Sequence, residues 1–277
     1  MAAVLLALAS SVTWGVADFS GGMLARRLPL AAVTIFEEIG GLVLLVAFCV
    51  ARGGLDWHSV WVGAIGGIGG GIGVATFYAA LAHGTMSIVS PLVACSAVVP
   101  VGLALGTGER PSALVLGGSA VALIGAVLAS AEERSAGETG RRQAIWLAAV
   151  AALGIGIFVF FLGRASQNGS VLSALLGARV ASIAVLLVWV VATRATLRVS
   201  PGAVPVIFLV GVADLSANAL FALASQRGLL SVVSVLGSLF PVVTVLLAHL
   251  VLHERISRAQ LLGIAVALVG VTVVAAA

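Results

Sequence analysis

Lysine is missing from this chain, and acids and aromatics are scarce. Its basic side chains are all arginine, and 14 Lys plus Arg stand against 10 Asp plus Glu in 277 residues. Charged residues make up 9% of the chain, where a soluble domain of this size carries about 25%. No polar tract is long enough to build a domain outside a membrane. The net charge of +4 and the pI near 10.4 come from arginines placed almost entirely in short loops, a pattern that suits anionic lipid headgroups better than nucleic acid. Cys49 and Cys95 both fall inside apolar runs and belong to no motif, so they read as small packing residues. The N-terminus has neither a basic leader nor a cleavage site, which reads as a retained first helix.

What fills the chain is hydrocarbon. Hydrophobic residues reach 61% and the mean hydropathy is +1.25. Ten apolar segments follow one another, at about 2–24, 29–51, 60–82, 86–106 and 112–130, then 144–163, 171–193, 203–226, 229–252 and 259–277. Most approach the roughly 20 residues needed to cross 30 Å of hydrocarbon as a helix. The polar stretch 131–142, with three Glu and three Arg, divides them into halves at 1–130 and 143–277 and reads as a solvated linker.

The halves repeat. Gly84-Thr-Met-Ser-Ile-Val-Ser90 answers Gly228-Leu-Leu-Ser-Val-Val-Ser234 at an offset of 144. Glu109-Arg110-Pro-Ser112 with Gly118–Gly125 answers Glu254-Arg255-Ile-Ser257 with Gly263–Gly270 at 145, so one indel separates the blocks. Each half has five spans. Two copies with an odd number of spans, joined in tandem, must lie in opposite orientations. The expected fold is therefore an all-α membrane protein of ten transmembrane helices arranged as two inverted five-helix repeats. Secondary transporters are built this way, with the substrate site between the repeats near the midplane.

Paired five-helix units, Trp14-Gly15 in the first helix, and a Pro-bearing helix closed by Gly108-Glu-Arg110 (His253-Glu-Arg255 in the second copy) resemble the EamA-type ten-helix members of the drug/metabolite transporter superfamily. The resemblance covers essentially the whole chain. It implies export or exchange of small metabolites such as amino acids, through a central cavity lined by helices one, three, four and their counterparts. The chain departs from that pattern in three places. Pro100 is three positions out of register with Pro241, Pro91 has no partner, and Glu37-Glu38 stand where the family usually carries an arginine that the seventh helix keeps as Arg179.

Ionisable residues point to the site, because each costs about 2.5–3.5 kcal/mol at a helix centre and persists where it faces a cavity or a partner. Asp18 shares a face of the first helix with Trp14 and Gly21-Gly22. Asp214, Asn218 and Phe221 form a stripe on the eighth. Glu37, Glu38 and Arg179 lie about eight residues into their helices, and four acids stand against one arginine. Such a surplus in low dielectric is relieved by taking up protons, the usual chemistry of coupling, or by a cationic or zwitterionic substrate.

Each candidate has a second reading. Glu37 or Glu38 could pair with Arg179 and lock the halves, and only one of two neighbours 100° apart can fully face a given partner. Asp214 with Asn218 is a cavity wall or an interhelical clamp. Trp14 and Tyr78 stack on substrate or on the core. Pro91, Pro100 and Pro241 open backbone groups or only bend helices. His249 and His253 have metal-ligand spacing without a third ligand, the glycines of 63–73 fit small-residue helix packing, and Glu109-Arg110 with Glu254-Arg255 are interfacial caps or a gate.

These readings lead to a secondary transporter that exports small polar, amino-acid-like metabolites by rocking of the halves, with Asp18 and Asp214 binding substrate or proton, Trp14, Tyr78, Asn218 and Phe221 completing the substrate site, and Glu37, Glu38 and Arg179 as coupling or gating charges. Multidrug or organic-cation efflux and a non-transporting membrane subunit are the alternatives. No nucleophile–base set or Gly-x-Ser-x-Gly supports an enzyme, and no metal or cofactor is expected. The expected partners are a small-molecule substrate, the lipid bilayer and protons, without nucleic acid, for a monomer or homodimer in the plasma (inner) membrane. Loop arginines, nine against four, place the termini outside, whereas the resemblance implies cytoplasmic termini.

Overall fold

The computed structural model describes residues 1–83, 92–130, 141–167, 169–253 and 256–276. The side chain of Tyr78, along with Pro91, Glu254 and Arg255, lies outside the described residues. Among them every regular element is helical. In chain order these are α1 (Ala2–Ala25), α2 (Leu30–Arg52), α3 (Trp57–His83), α4 (Leu92–Gly106), α5 (Ala113–Ser130), α6 (Arg141–Gln167), α7 (Val171–Thr193), α8 (Val204–Ser225), α9 (Leu230–Leu252) and α10 (Arg258–Ala276). Eight are long and apolar enough to span a bilayer, while Leu92–Gly106 and Ala113–Ala129 are shorter apolar helices.

The outer surface confirms the solvent. Trp61, Trp146, Leu209 and Leu250 are each at least 66% exposed, which water would oppose and lipid does not. Local chemistry sets the helix ends. Gly53 closes α2 at φ 67, and Ser170 caps α7 by accepting from the Ser173 N–H. Proline shapes α4 and α9. α9 is two helices, Leu230–Gly237 and Phe240–Leu252, parted just before Pro241. α4 carries a 3-10 turn at Cys95–Ala97, just ahead of Pro100. In both, proline withdraws the hydrogen bond that would continue the helix.

Inversion can be read from close approaches. Along α5 and α10, Gly118 meets Val273 and Val274, Gly125 meets Ala267, and Ala129 meets Gly263. One number rises as the other falls, so these equivalent last helices run antiparallel. Packing partners also interchange between repeats: α3 packs on α6 and α7, and α8 on α1 and α2. The same interchange relates α1 on α9 to α6 on α4. Gly15 of α1 sits against the Phe240 carbonyl at the break in α9, and Gly156 of α6 against the Ser96 carbonyl at the turn in α4. A side chain at either glycine would hold the broken helix away.

The glycines of α3 serve packing, as small residues at interhelical contacts do. Gly63, Gly67 and Gly71 abut Ala174, Ala178 and Ser182 of α7, while Gly66, Gly69 and Gly73 abut α6. α3 is thereby wedged between two helices of the other repeat. Ten spans put both termini on one face, which also carries the α2–α3, α4–α5, α6–α7 and α8–α9 connections.

Candidate functional site

The charged residues meet where α1, α2, α7 and α8 converge. Arg179 Nη1 lies 2.8 Å from Glu38 Oε2, and Arg179 Nη2 lies 2.7 Å from Asp214 Oδ2. Ser182, one turn beyond Arg179, donates to Glu38 Oε1 at 3.2 Å. Asn218 Nδ2 donates to Asp214 Oδ2 at 3.0 Å and to the Asp214 carbonyl at 2.8 Å, while its buried Oδ1 has no partner among the described residues. The guanidinium is only 6% exposed and bridges the repeats, and both of its outer edges are engaged in charge-assisted bonds.

Two carboxylates stay out of that network. Glu37 is within electrostatic reach of Asp214, Asp18, Glu38 and Arg179. Asp18 is within reach of Asp214. Neither makes an ion pair among the described residues. Asp18 keeps much of its side chain uncovered. Close backbone approaches assemble the site: Gly211 of α8 packs on the Glu37 carbonyl, and Gly41 leaves its would-be Cβ position 3.1 Å from Arg179 Nη2.

An aromatic layer borders the cluster. The Trp14 ring lies 5.6 Å from that of Phe221 and 6.4 Å from that of Phe240 at the break in α9. Phe221 is fully buried, whereas Trp14 is partly open. Gly237 fits between them, since a Cβ there would stand 3.2 Å from Trp14 and 3.3 Å from Phe221.

Of the residues singled out from sequence, Asp18, Glu37, Glu38, Arg179, Asp214 and Asn218 come together, with Trp14 and Phe221 beside them. Pro241 and Pro100 adjoin the broken parts of α9 and α4. Tyr78 and Pro91 lie outside the described residues. Sequence reasoning did not foresee the Arg179–Asp214 pair, which closes between α7 and α8 across 35 positions. It also missed Ser182, whose three-residue spacing from Arg179 on one helix face was the available signal. Among the described residues no group of three or more His, Cys, Asp or Glu could hold a metal.

A second polar cluster tethers the termini face. Asp56 accepts from the Ser59 hydroxyl, from the His58 N–H at 3.1 Å and from the Ser170 N–H at 3.3 Å. Its own N–H donates to Ser173 Oγ at 3.0 Å. The Ser59 hydroxyl, followed by those backbone N–H groups, holds the Asp56 carboxyl below its ordinary range.

Inverted five-helix repeats enclosing a charged cluster define a multi-pass membrane protein of the transporter class. The EamA-like transporter family matches residues 1–131 and 142–276. The chain belongs to that family and is a membrane transporter of the drug/metabolite type, whose members are transporters rather than enzymes. A solved structure described as "Crystal structure of protein" superposes with a TM-score of 0.78 at 21% identity over 99% of this chain and 98% of that one, a likeness of fold. No curated relative matches the sequence.

Proposed function

We propose that this chain is a proton-coupled secondary transporter that exports small polar, amino-acid-like metabolites by alternating access. The observation that carries the reading is the enclosed cluster of four carboxylates around one guanidinium between the repeats. Asp18 and Glu37 carry the proton or the substrate's amine, because they alone are not committed to Arg179. Glu38, Arg179 and Asp214 join α2, α7 and α8 and transmit the protonation state of the cluster to the packing of the halves. Trp14 and Phe221 offer a flat apolar surface to the body of the substrate. Two carboxylates left without a countercharge in low dielectric favour exchange of a proton for a cation, which is the logic of antiport.

A second reading, efflux of organic cations, is favoured by one feature. Both outer edges of Arg179 are occupied, so the cluster presents no described free cation to a substrate carboxylate. Ligands stabilising the purified protein in a thermal-shift screen of amino acids, amines and sugars name the substrate class. Flux of such a ligand in proteoliposomes should follow an imposed pH gradient and lose that dependence in Asp18→Asn. Flux indifferent to both the gradient and the substitution would overturn proton coupling through Asp18. A preference for amines lacking a carboxylate decides for the second reading.

A further inference from the structure

Glu109 leaves its own repeat to hold the first turn of a helix in the other. It follows α4, yet its carboxylate accepts from the Leu230 N–H at 2.7 Å, the Ser231 N–H at 2.9 Å and the Ser231 hydroxyl at 2.7 Å. An exposed helix start can be satisfied by water or by its own cap. Here a carboxylate from 121 positions away does so, with the favourable sign for a helix N-terminus. Arg110 does not neutralise that carboxylate. Its Nη1 donates to the Leu105 and Glu109 carbonyls, which pins the loop.

What lies behind this contact gives it meaning. One turn further along α9, Ser234 is 2% exposed and its hydroxyl has no partner among the described residues. On α1, which packs against α9, Ser11 is equally buried and likewise has no partner among the described residues. Another turn along α9, Gly237 touches Trp14 and Phe221, the border of the charged cluster. From the acids towards the termini face there follow an aromatic partition, two buried hydroxyls with unused hydrogen-bonding capacity, and the Glu109 contact. Buried polar groups without partners are costly in a closed protein and are satisfied once water or a polar solute reaches them.

We propose that Glu109 is the latch of the gate on the face carrying both termini. It clamps the first segment of α9 to the α4–α5 loop, and releasing Leu230 and Ser231 opens the space around Ser11 and Ser234 to that face. The break at Ser238–Leu239 supplies the hinge about which this segment moves independently of the rest of α9. The inference rests on the transporter reading for its purpose but not for its labelling test.

With Cys49 and Cys95 replaced by alanine, Ser234→Cys places a single thiol behind the latch. In liposomes it should react slowly with a membrane-impermeant maleimide applied to the termini face. Adding Glu109→Gln should raise that rate at least about tenfold, because the charge-assisted bonds are weakened. A thiol introduced by Thr196→Cys, exposed on the opposite face, should react equally in both backgrounds when the same maleimide is applied to that opposite face, and reports intact folding. Separately, the pair Glu109→Cys and Ser231→Cys, oxidised to a disulfide, should stop substrate flux, and reductant should restore it. An unchanged labelling rate at position 234, or flux that continues through the cross-linked protein, reduces Glu109 to a static cap and overturns the proposal. Labelling that responds as expected, with no amino acid, amine or sugar giving flux in the parent protein, keeps the latch and sinks the proposed export function instead.

Discussion

Glu38 and Arg179 are each the ninth residue of a 23-residue helix, α2 in one repeat and α7 in the other, and their side chains meet at 2.8 Å. Equivalent positions of an inverted repeat can touch only near the axis relating the copies. The duplication has thus placed opposite charges on one structural position and brought them into contact. Two glutamates there would repel, and two arginines would leave Asp214 competing for both. The divergence of sequence at this position makes the symmetric scaffold cohere.

The two partners are nevertheless unequal. Removing Arg179 leaves Glu38 and Asp214 both without their countercharge, whereas removing the charge of Glu38 leaves Arg179 bonded to Asp214. Arg179→Gln is therefore expected to cost about 3–5 kcal/mol, the range for stranding a partner of a buried pair, and Glu38→Gln distinctly less. Thermal unfolding in detergent measures both. Glu38→Arg combined with Arg179→Glu should not restore stability, because a glutamate at 179 would confront Asp214; recovery in the swapped variant would show that Asp214 plays no part.

Asp18 makes no ion pair among the described residues, so Asp18→Asn should change coupling rather than folding. The expected outcome is a melting temperature within a degree or two of the parent, together with flux that no longer follows a pH gradient. A large drop in melting temperature would place Asp18 in the structural network.

Glycine should matter by position, not by count. A Cβ at Gly67 would collide with the Ala178 carbonyl, whereas nothing lies within 4 Å of one at Gly22. Gly67→Ala should destabilise by about 1–3 kcal/mol through overpacking, and Gly22→Ala should be close to neutral. Equal effects in a thermal-unfolding comparison would contradict the wedge of α3 between α6 and α7.

The Asp56 tether should weaken in acid. Its carboxyl is held below the ordinary range in the fold, so its contribution is present above the unfolded-state value, near 3.9, and is lost as pH falls through the lower folded value. Asp56→Asn removes the charge at every pH and should flatten that part of the acid limb of a stability profile. An acid limb identical in parent and variant would exclude Asp56 as its source.

Much of this was legible without coordinates. Hydropathy showed the spans, and the matched blocks around Glu109 and Glu254 showed the duplication. An odd number of helices per copy then dictated inversion. The acids were conspicuous because ionisable groups are rare inside a membrane. Which glutamate would face Arg179 was not legible, since Glu37 and Glu38 differ only by a 100° turn and the rotation of α2 is set by Gly40 and Gly41 packing on α8. Nor was the second anchor of Arg179, because Asp214 had its obvious neighbour in Asn218 on the same helix.

By itself the sequence determined the solvent, the number of spans and their inverted pairing, because these follow from hydrophobic length and repetition along one dimension. Only the tertiary structure decided that Glu38 and Asp214 share one arginine while Asp18 and Glu37 go without, and that Glu109 reaches the start of α9. Those outcomes depend on helix rotation and on backbone contact at particular glycines, which join residues more than a hundred positions apart. Local pattern carries no record of them.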